Sequence, residues 1–218
     1  MIYTAKNDLV LSQVSLSDID ILDVGCGTGS NARSIATYNP QSRIVGLSHN
    51  AKELDLASEW IARGIEFNLN SESPLELDKK FDLIICSHIL EHLIDPAQRT
   101  RELSKFLKPS GRMILVVPNF AIWKSRLRLL FGKFDYAEHG LYDSSHLRFY
   151  TWHSFGSLVV PEDFEITKRL SSGNFPMPFL RKLIPIGIGE KIDNFFVKNL
   201  PNIFSSEVGL IIRRKKTQ

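Results

Sequence analysis

The chain has 218 residues, a hydrophobic content of 43% and a formal net charge of +3 at pH 7. This length and composition fit one domain with a sizeable core, with room for insertions. Two cysteines, Cys26 and Cys86, exclude a disulfide framework, and no CxxC metal pattern occurs. No interleaved basic and aromatic pattern indicates a nucleic-acid groove.

The first residues lack the basic and apolar segments of a signal peptide, and no apolar run is long enough to span a bilayer. We therefore expect a reduced, cytoplasmic protein. Residues 1–18 are predicted to form about one turn of helix that leans on the core and carries no chemistry.

A glycine-rich turn follows the first predicted strand, which begins at Ile19. Its glycines, Gly25, Gly27 and Gly29, are spaced G-x-G-x-G, and residues 31–38 read as a helix. Strand, tight loop and helix place a ligand crevice at the carboxyl end of the strand, where the helix amino terminus favours an anionic group. The loop lacks the Gly-Lys-Ser/Thr of a P-loop, and its spacing differs from the dinucleotide-binding G-x-G-x-x-G.

The stretch from Asp23 to Gly29 reads Asp-Val-Gly-Cys-Gly-Thr-Gly and resembles motif I of the class I S-adenosylmethionine (SAM) dependent methyltransferases. The resemblance implies SAM as cofactor. It implies that Asp23 helps to hold the cofactor's ammonium group. It further implies that the loop wraps the methionine end of the cofactor through Gly25, Cys26, Gly27 and Gly29.

Two positions depart from the pattern of that family. The second strand, 43–47, leads to Ser48 where the family has an acid that grips the ribose hydroxyls, and the third strand, 65–69, leads to Asn70 where an acid usually lies near the adenine amine. Both residues are predicted to contact the cofactor without charge. They also motivate an alternative, a non-catalytic binding protein on a degenerate methyltransferase fold. A nicotinamide-dependent oxidoreductase is disfavoured by the loop spacing and the same missing ribose acid.

Further strands are predicted at 81–86 and 112–117, with helices at 50–63, 89–93 and 96–107. Gly64 is predicted to stop the helix before it, and residues 108–111 to form a turn. The alternation of strands and helices predicts an α/β fold with a parallel sheet covered on both faces. The resemblance implies a Rossmann-like class I methyltransferase sheet of order 3-2-1-4-5-7-6, in which the last strand is antiparallel.

The segment after the fourth strand contains His88, Glu91 and His92 in an H-x-x-E-H pattern, which occurs in one class of zinc peptidase. Because that spacing needs a continuous helix and a third ligand, neither of which is evident, we expect no metal site. The segment instead resembles the Leu-Glu-His-Leu stretch of many class I methyltransferases. There, Ser87 and His88 lie beside the cofactor and Glu91 and His92 face the substrate. Alternatively, Glu91 and His92 only cap a helix.

A long excursion at about 119–150 is predicted to build the substrate side, with a basic amphipathic helix at 122–131. It offers Asp143, His146 and Arg148 to an anionic or hydroxylated substrate. The amino-acid sequence of this segment resembles that of a bacterial methyltransferase subgroup associated with surface-polysaccharide or lipid-linked glycan synthesis. Some members of the subgroup resemble the methionine-biosynthesis protein MetW. A helix is expected at about 152–158.

The last two strands are predicted at 164–170 and 207–213, and the segment 172–206 between them is expected to form a small helical cap over the crevice. It is too broken by proline and glycine to span a membrane. Peripheral membrane contact and a homodimer face are the other interpretations of this segment.

The sequence thus predicts one methyltransferase domain, 1–218, that moves a methyl group from SAM to oxygen or nitrogen of a small-molecule, sugar or lipid-linked glycan acceptor. For a hydroxyl acceptor, His146 and His92 are the candidate general bases, with Asp143 or Glu91 as orienting carboxylates.

Overall fold

A seven-stranded sheet forms the centre of the computed structural model, which describes residues 6–177 and 184–216. The strands are β1 (Asp20–Val24), β2 (Arg43–Ser48), β3 (Arg63–Glu66), β4 (Phe81–Ser87), β5 (Leu107–Pro118), β6 (Phe164–Gly173) and β7 (Ser205–Arg214). Their order is β3-β2-β1-β4-β5-β7-β6, with β7 antiparallel to both neighbours and the first five strands parallel. The predicted fold class and strand order are confirmed.

The helices are α1 (Asp8–Leu11), α2 (Ser30–Tyr38), α3 (Ala51–Ala57), α4 (Pro96–Ser104), α5 (Trp123–Leu130), α6 (Phe155–Val159), α7 (Ile186–Asn199) and α8 (Pro201–Phe204). A single 3-10 turn at Leu90–His92 takes the place of the helix predicted at 89–93. As expected, α1 is one turn long, and its Val10 is fully buried.

Apolar side chains alternate between the two faces of the central strands and build a core on each. From β1, Leu22 and Val24 enter one core, whereas Ile21 enters the other. All five residues of β1 are buried, as expected for a parallel strand covered on both faces. The pairing of Val24 with both Leu47 and Cys86 brings the carboxyl ends of β1, β2 and β4 level. These ends form the floor of the predicted crevice.

Several predicted boundaries near β3 and β5 are wrong. Helix α3 ends at Ala57, and β3 begins at Arg63, so Gly64 lies in a strand and does not stop a helix. A Cβ at Gly64 would lie 3.2 Å from Leu54 Cβ, so this glycine permits close packing of strand on helix. The turn predicted at 108–111 is part of the long strand β5, where the pairing with β4 shifts register.

The first insertion, 119–150, leaves and rejoins the sheet at a single point. Its ends are joined by an isolated bridge between Asn119 and Tyr150 and by a hydrogen bond of 2.7 Å from Phe120 N to Tyr150 O. The insertion contains α5, which confirms the predicted helix within one residue at each end. The following helix, α6, is shorter and later than the one predicted at 152–158.

The second insertion, 172–206, contains α7 and α8 and closes where Gly173 pairs with Ser205. Its residues 178–183, which include Pro178, lie outside the described residues. The helices confirm a helical segment here, whereas membrane contact and a dimer face stay predictions. Within the described ranges, no helix has both the length and the apolar character needed to cross a bilayer.

Candidate functional site

The glycine loop after β1 turns back on itself in backbone conformations that favour glycine. Gly25, Gly27 and Gly29 have φ angles of 74°, 51° and 80°. The main-chain nitrogens of Gly25 and Cys26 both donate to Leu47 O, at 2.9 and 3.0 Å, which fastens the loop to the end of β2. Because α2 starts directly after Gly29, its amino terminus faces the same edge of the sheet.

The Cys26 side chain points away from the crevice edge and packs on β2. A Cβ built on Gly46 would lie only 2.7 Å from Cys26 Sγ, so the sulfur occupies the space that a side chain at position 46 would need. Cys26 is buried and free. Burial raises the pKa of its thiol, and the nearby carboxylates of Asp23 and Glu53 raise it further. The Cys26 sulfur is therefore buried and unreactive, so the predicted cofactor contact of this residue is left to its main chain.

Asp23 is a buried carboxyl group at the crevice end of β1, with only 1% of its surface exposed. Its Oδ2 atom has no hydrogen-bond partner among the described residues. Burial raises the pKa of Asp23 to about 7. A buried acid oxygen without a partner is costly unless a ligand satisfies it, and a cation such as an ammonium group would do so.

Ser48 lies at the end of β2, as expected, but it is paired with an acid that the sequence analysis missed. Ser48 Oγ donates to Glu53 Oε2 at 2.6 Å and accepts from Asn50 N at 3.1 Å. Ser48 and Glu53 are both buried, with 4% and 3% exposed. Helix α3 thus delivers a carboxylate to the position where the family pattern has an acid on the strand.

The sequence signal for Glu53 is ambiguous. Asn50 caps α3 by accepting from Lys52 N, and Glu53 follows three residues after the cap, which is the spacing of a capping box. A glutamate at that position is ordinarily assigned to the helix terminus. Only the contact with Ser48 shows that its carboxylate is held at the end of β2.

Asn70 lies beyond β3 and bridges two strand-end loops. Its Nδ2 donates to His92 O, and its Oδ1 accepts from Ile94 N, both at 2.9 Å. The amide oxygen that was predicted to accept from adenine already has a main-chain donor. Asn70 therefore positions the segment after β4, and its contact with the adenine amine stays a prediction.

Ser87 ends β4, and His88 follows it in a left-handed conformation with φ of 53°. The His88 ring lies between two acids, with Nδ1 3.4 Å from Glu91 Oε1 and Nε2 3.3 Å from Glu207 Oε1. Burial by itself lowers the pKa of His88, but the contacts with Glu207 and Glu91 outweigh it and raise the pKa to about 10. His88 is therefore an imidazolium that anchors the start of β7 to the end of β4.

Glu91 is almost fully buried, with 2% exposed, in the 3-10 turn after β4. Within the described part of the chain, neither of its carboxylate oxygens has a hydrogen bond, because the contact with His88 lacks hydrogen-bond geometry. Its main-chain oxygen accepts from Leu147 N and Arg148 N at 2.8 and 3.1 Å. These bonds hold the end of the first insertion against the turn.

The two candidate histidines, His92 and His146, come together although 53 residues separate them in the chain. Their ring centroids are 4.8 Å apart in an edge-on arrangement. Each ring directs Nδ1 to a main-chain oxygen at 3.3 Å, that of Ser145 for His92 and that of Leu141 for His146. Since a carbonyl oxygen only accepts, Nδ1 carries a proton in both rings. In the neutral form of each ring, Nε2 is therefore the nitrogen that accepts a proton.

Asp143 supports this pair through Ser145. Ser145 Oγ donates to Asp143 Oδ1 at 2.6 Å and lies 3.1 Å from His92 Nδ1. Burial raises the pKa of Asp143, but the bonds from Ser145 and the nearby histidines outweigh it and lower the pKa. Asp143 therefore orients His92 indirectly, and Glu91 is the acid that lies beside both rings. Burial, reinforced by His92, lowers the pKa of His146.

Aromatic side chains from the first insertion pack beside the histidines. Phe149 lies 6.4 Å from His146 and 4.6 Å from Phe120, measured between ring centroids. Phe134 and Tyr142 extend this cluster, and Arg128 lies 4.6 Å above the Tyr142 ring. Arg148, the other predicted substrate residue, donates to Ile94 O instead. The result is an aromatic surface beside the polar side chains of Glu91, His92 and His146.

The residues at the ends of β1 and β2 fit SAM. Asp23 offers a buried carboxylate oxygen to an ammonium group. The positive-φ glycines have no side chain, so a ligand can approach their main chain closely. Glu53 and Ser48 together offer a carboxylate and a hydroxyl. A zwitterionic nucleoside needs these three kinds of group.

Comparisons with known proteins identify the family of this chain. A family model described as a methyltransferase domain matches residues 5–168. The tRNA U34 carboxymethyltransferase of Nautilia profundicola is 32% identical over 114 residues, which cover 50% of this chain and 38% of that protein. The ubiquinone biosynthesis O-methyltransferase of Rickettsia akari is 35% identical over 112 residues, 48% of this chain and 42% of that protein. The match thus spans less than half the length of each of these relatives.

Solved structures share the fold. PKMT2 from Rickettsia typhi in complex with AdoHcy superposes with a TM-score of 0.59 at 17% identity, over 94% of this chain and 50% of that one. A putative methyltransferase from Bacillus halodurans gives a TM-score of 0.61 at 18% identity, over 96% of this chain and 99% of that one. Together with the family model and the strand order, they show that this chain belongs to the methyltransferase-domain family, on the class I SAM-dependent methyltransferase fold.

Proposed function

We propose that this protein transfers a methyl group from SAM to a hydroxyl oxygen of a small-molecule or glycan acceptor. The observation that carries the proposal is the meeting of Glu91, His92 and His146 beside the crevice edge where Asp23 lies. The family membership supports the cofactor, and the cluster supports a reaction in which an acceptor loses a proton.

The cofactor side is formed by this chain's own groups. When bound, SAM supplies an electrophilic methyl group, so the protein has mainly to align the acceptor. Asp23 pairs with the ammonium group, the main chain of the glycine loop lies against the methionine end, and Glu53 accepts from the ribose hydroxyls. Glu53 thereby replaces the charge that Ser48 lacks, which weakens the case for a non-catalytic binding protein.

On the acceptor side, the histidines supply the base. With the proton on Nδ1, the Nε2 atom of His92 or His146 can accept the proton of an acceptor hydroxyl. His146 is a candidate because burial lowers its pKa and so favours the neutral ring. Arginines and lysines are unsuited to this role at neutral pH.

The acceptor class is inferred from the lining and from resemblance. Aromatic side chains beside a few polar groups are typical of small-molecule sites, and the rings of Phe120, Phe134 and Phe149 supply such a surface. The O-methyltransferase relatives support transfer to oxygen. The sequence resemblance of residues 119–150 to the glycan-associated methyltransferase subgroup favours a sugar or lipid-linked glycan.

Calorimetric titration with S-adenosylhomocysteine tests the cofactor site. The wild-type chain is expected to saturate, and Gly27→Val to lose binding because a side chain at φ of 51° strains the loop and blocks the close approach of main chain. Gly132→Val is the matched control, since Gly132 also has positive φ but a Cβ there would meet no other atom within 4 Å. If the wild-type chain fails to saturate at millimolar ligand, the non-catalytic alternative is favoured.

The acceptor itself is sought by native mass spectrometry of the protein purified from its source cells. A retained molecule that gains one methyl group on addition of SAM supports the proposal. A retained molecule without a hydroxyl or sugar contradicts the acceptor class.

A further inference from the structure

Glu91, His92 and His146 present three donor groups to one point at the edge of the sheet. One donor atom from each lies within 4.8 Å of the donor atoms of the other two. In the H-x-x-E-H pattern, from which no metal site was expected, His88 would be the first ligand, but its ring is held between Glu91 and Glu207. The third donor comes instead from His146, in the first insertion.

The buried carboxylate of Glu91 is the independent observation that points to a ligand. Both of its oxygens lack hydrogen bonds within the described residues, although only 2% of the residue is exposed. Among the described residues, its carboxylate forms an ion pair with the His88 ring, whose Nδ1 atom lies 3.4 Å from Oε1 without a hydrogen bond. A buried acid in this state is expected to be satisfied by a group that the protein binds.

The two imidazoles are oriented as metal ligands usually are. Metal-binding histidines commonly donate the other ring N–H to a main-chain carbonyl, which fixes the tautomer and the ring direction. His92 and His146 both do this through Nδ1, and Asp143 stabilises the His92 contact through Ser145. Two imidazole nitrogens and one carboxylate with further positions open are the donor set of catalytic zinc and related divalent ions.

We propose that Glu91, His92 and His146 bind a divalent transition-metal ion at the acceptor side of the crevice. Ligand atoms around such an ion, at about 2.1 Å from it, lie roughly 3–4 Å apart, so binding requires the three side chains to move together slightly. With the ion bound, both Nε2 atoms are ligands and neither acts as the base. The cation then favours loss of the acceptor hydroxyl proton to solvent, because it stabilises the alkoxide that forms. That role rests on the proposed methyl transfer, whereas binding of the ion does not.

The test titrates the untagged, chelator-treated full chain with Zn²⁺ by calorimetry and follows visible absorption on addition of Co²⁺. We expect one ion per chain. Glu91→Gln and His146→Ala are each expected to weaken Zn²⁺ binding by more than about 100-fold, since loss of a ligand costs more than loss of the groups supporting it. His153→Ala removes an exposed histidine and is expected to leave the affinity unchanged.

Binding of S-adenosylhomocysteine to the same variants checks that they are folded. Because Glu91→Gln preserves the shape of the side chain, it remains informative if His146→Ala unfolds. The proposal is overturned if the wild-type chain binds no Zn²⁺ at millimolar concentration, or if folded Glu91→Gln binds it as tightly as the wild-type chain. Loss of cofactor binding with Zn²⁺ binding intact would reject the proposed methyl transfer and leave the metal site standing.

Discussion

At the scale of single residues, the chemistry of the site depends on buried acids that lack hydrogen bonds from other protein groups. Within the described ranges, one buried carboxylate oxygen of Asp23 and both of Glu91 have no hydrogen bond. Such groups destabilise a folded chain unless a ligand compensates them. The acids of the opposite sheet edge differ, because Asp20 and Asp82 are both bonded to Lys108. Asp20 and Asp82 therefore stabilise the fold, whereas Asp23 and Glu91 are expected to bind a ligand.

The titration of Asp23 predicts how cofactor affinity depends on pH. Its pKa of about 7 in the folded chain lies above the ordinary value of 3.8, so below neutral pH the group is protonated and cannot pair with an ammonium ion. We expect the affinity for S-adenosylhomocysteine to fall about tenfold per pH unit below about pH 7. Calorimetry across that range measures it, with Asp23→Asn expected to bind weakly at every pH. A flat wild-type profile would contradict the role of Asp23.

The same shift predicts the stability of the protein without ligand. The folded chain holds the Asp23 proton more tightly than the unfolded chain does, so this contribution is fully present below about pH 4 and is lost as pH rises through about 7. Between about pH 5 and 8, urea denaturation should therefore show a larger fall in unfolding free energy for the wild-type chain than for Asp23→Asn. Equal slopes for the two proteins would show that Asp23 does not titrate as its burial indicates.

Glu53 is predicted to carry the ribose contact that Ser48 cannot make alone. Hydrogen bonds to a charged acceptor are worth about 1.5–3 kcal/mol each, so Glu53→Gln should weaken binding of S-adenosylhomocysteine by roughly 10- to 100-fold. Glu59→Gln, an exposed acid just beyond α3, is the control and should have no effect. If both variants bind as the wild-type chain does, Glu53 only supports the helix.

At the scale of elements, the site is assembled where the glycine loop meets its neighbours. Helix α3 packs so closely on the loop that a Cβ at Gly29 would lie 2.9 Å from Ala57 Cβ and 3.1 Å from Ala57 Cα. A Cβ at Gly25 would lie 2.9 Å from the end of the Ile89 side chain, which is able to move. The loop is therefore held by main chain on one side and by an adaptable side chain on the other.

This packing predicts the stability of two glycine variants. Gly29→Ala combines the strain of φ at 80° with a collision against helix main chain, and should lower the unfolding free energy by more than about 2 kcal/mol. Gly132→Ala carries similar strain, at φ of 65°, but has open space around it, and should cost about 1 kcal/mol. Urea denaturation compares the two. Equal losses of unfolding free energy in the two variants would mean that α3 moves away from the added methyl group without loss of stability.

At the scale of the whole molecule, the two edges of the sheet have different tasks. The carboxyl edge carries the glycine loop, the buried acids Asp23 and Glu91, and the histidines His92 and His146. The amino edge carries ion pairs that connect distant parts of the chain. The most buried of these pairs joins Arg112 of β5 to Asp18, through two bonds of 2.6 and 2.7 Å. Arg112 also donates to Gln13 O at 2.9 Å. These bonds attach the segment before β1 to the middle of the sheet.

Removal of that pair should destabilise the protein as a whole. Asp18→Ala leaves the Arg112 charge buried without its partner and is expected to lower the unfolding free energy by about 3 kcal/mol. The control is Asp78→Ala, which breaks an exposed pair with Arg63 and should cost less than about 1 kcal/mol. Thermal and urea unfolding report both. A small effect of Asp18→Ala would show that the segment before β1 contributes little to stability.

Much of the fold was open to prediction because its signals are local. The run from Ile19 to Ser30 contains a strand, three positive-φ glycines and a helix start, all of which act within a few residues of one another. Alternating apolar strands and helices then predict a parallel sheet, and resemblance supplies its order. Boundaries failed at Gly64, where the reason for the glycine is the packing of α3 on β3 and not a helix end.

By itself, the sequence determined the strand, loop and helix around Asp23, the residue types at the ends of β2 and β4, and helix α5. Only the tertiary structure decided which of these groups meet. It paired Ser48 with Glu53 and brought His146 to Glu91 and His92. It also bonded the Asn70 side chain to the main chain of the segment after β4. The physical reason is that burial and distance between residues far apart in the chain depend on how whole elements pack, which no short stretch of sequence encodes.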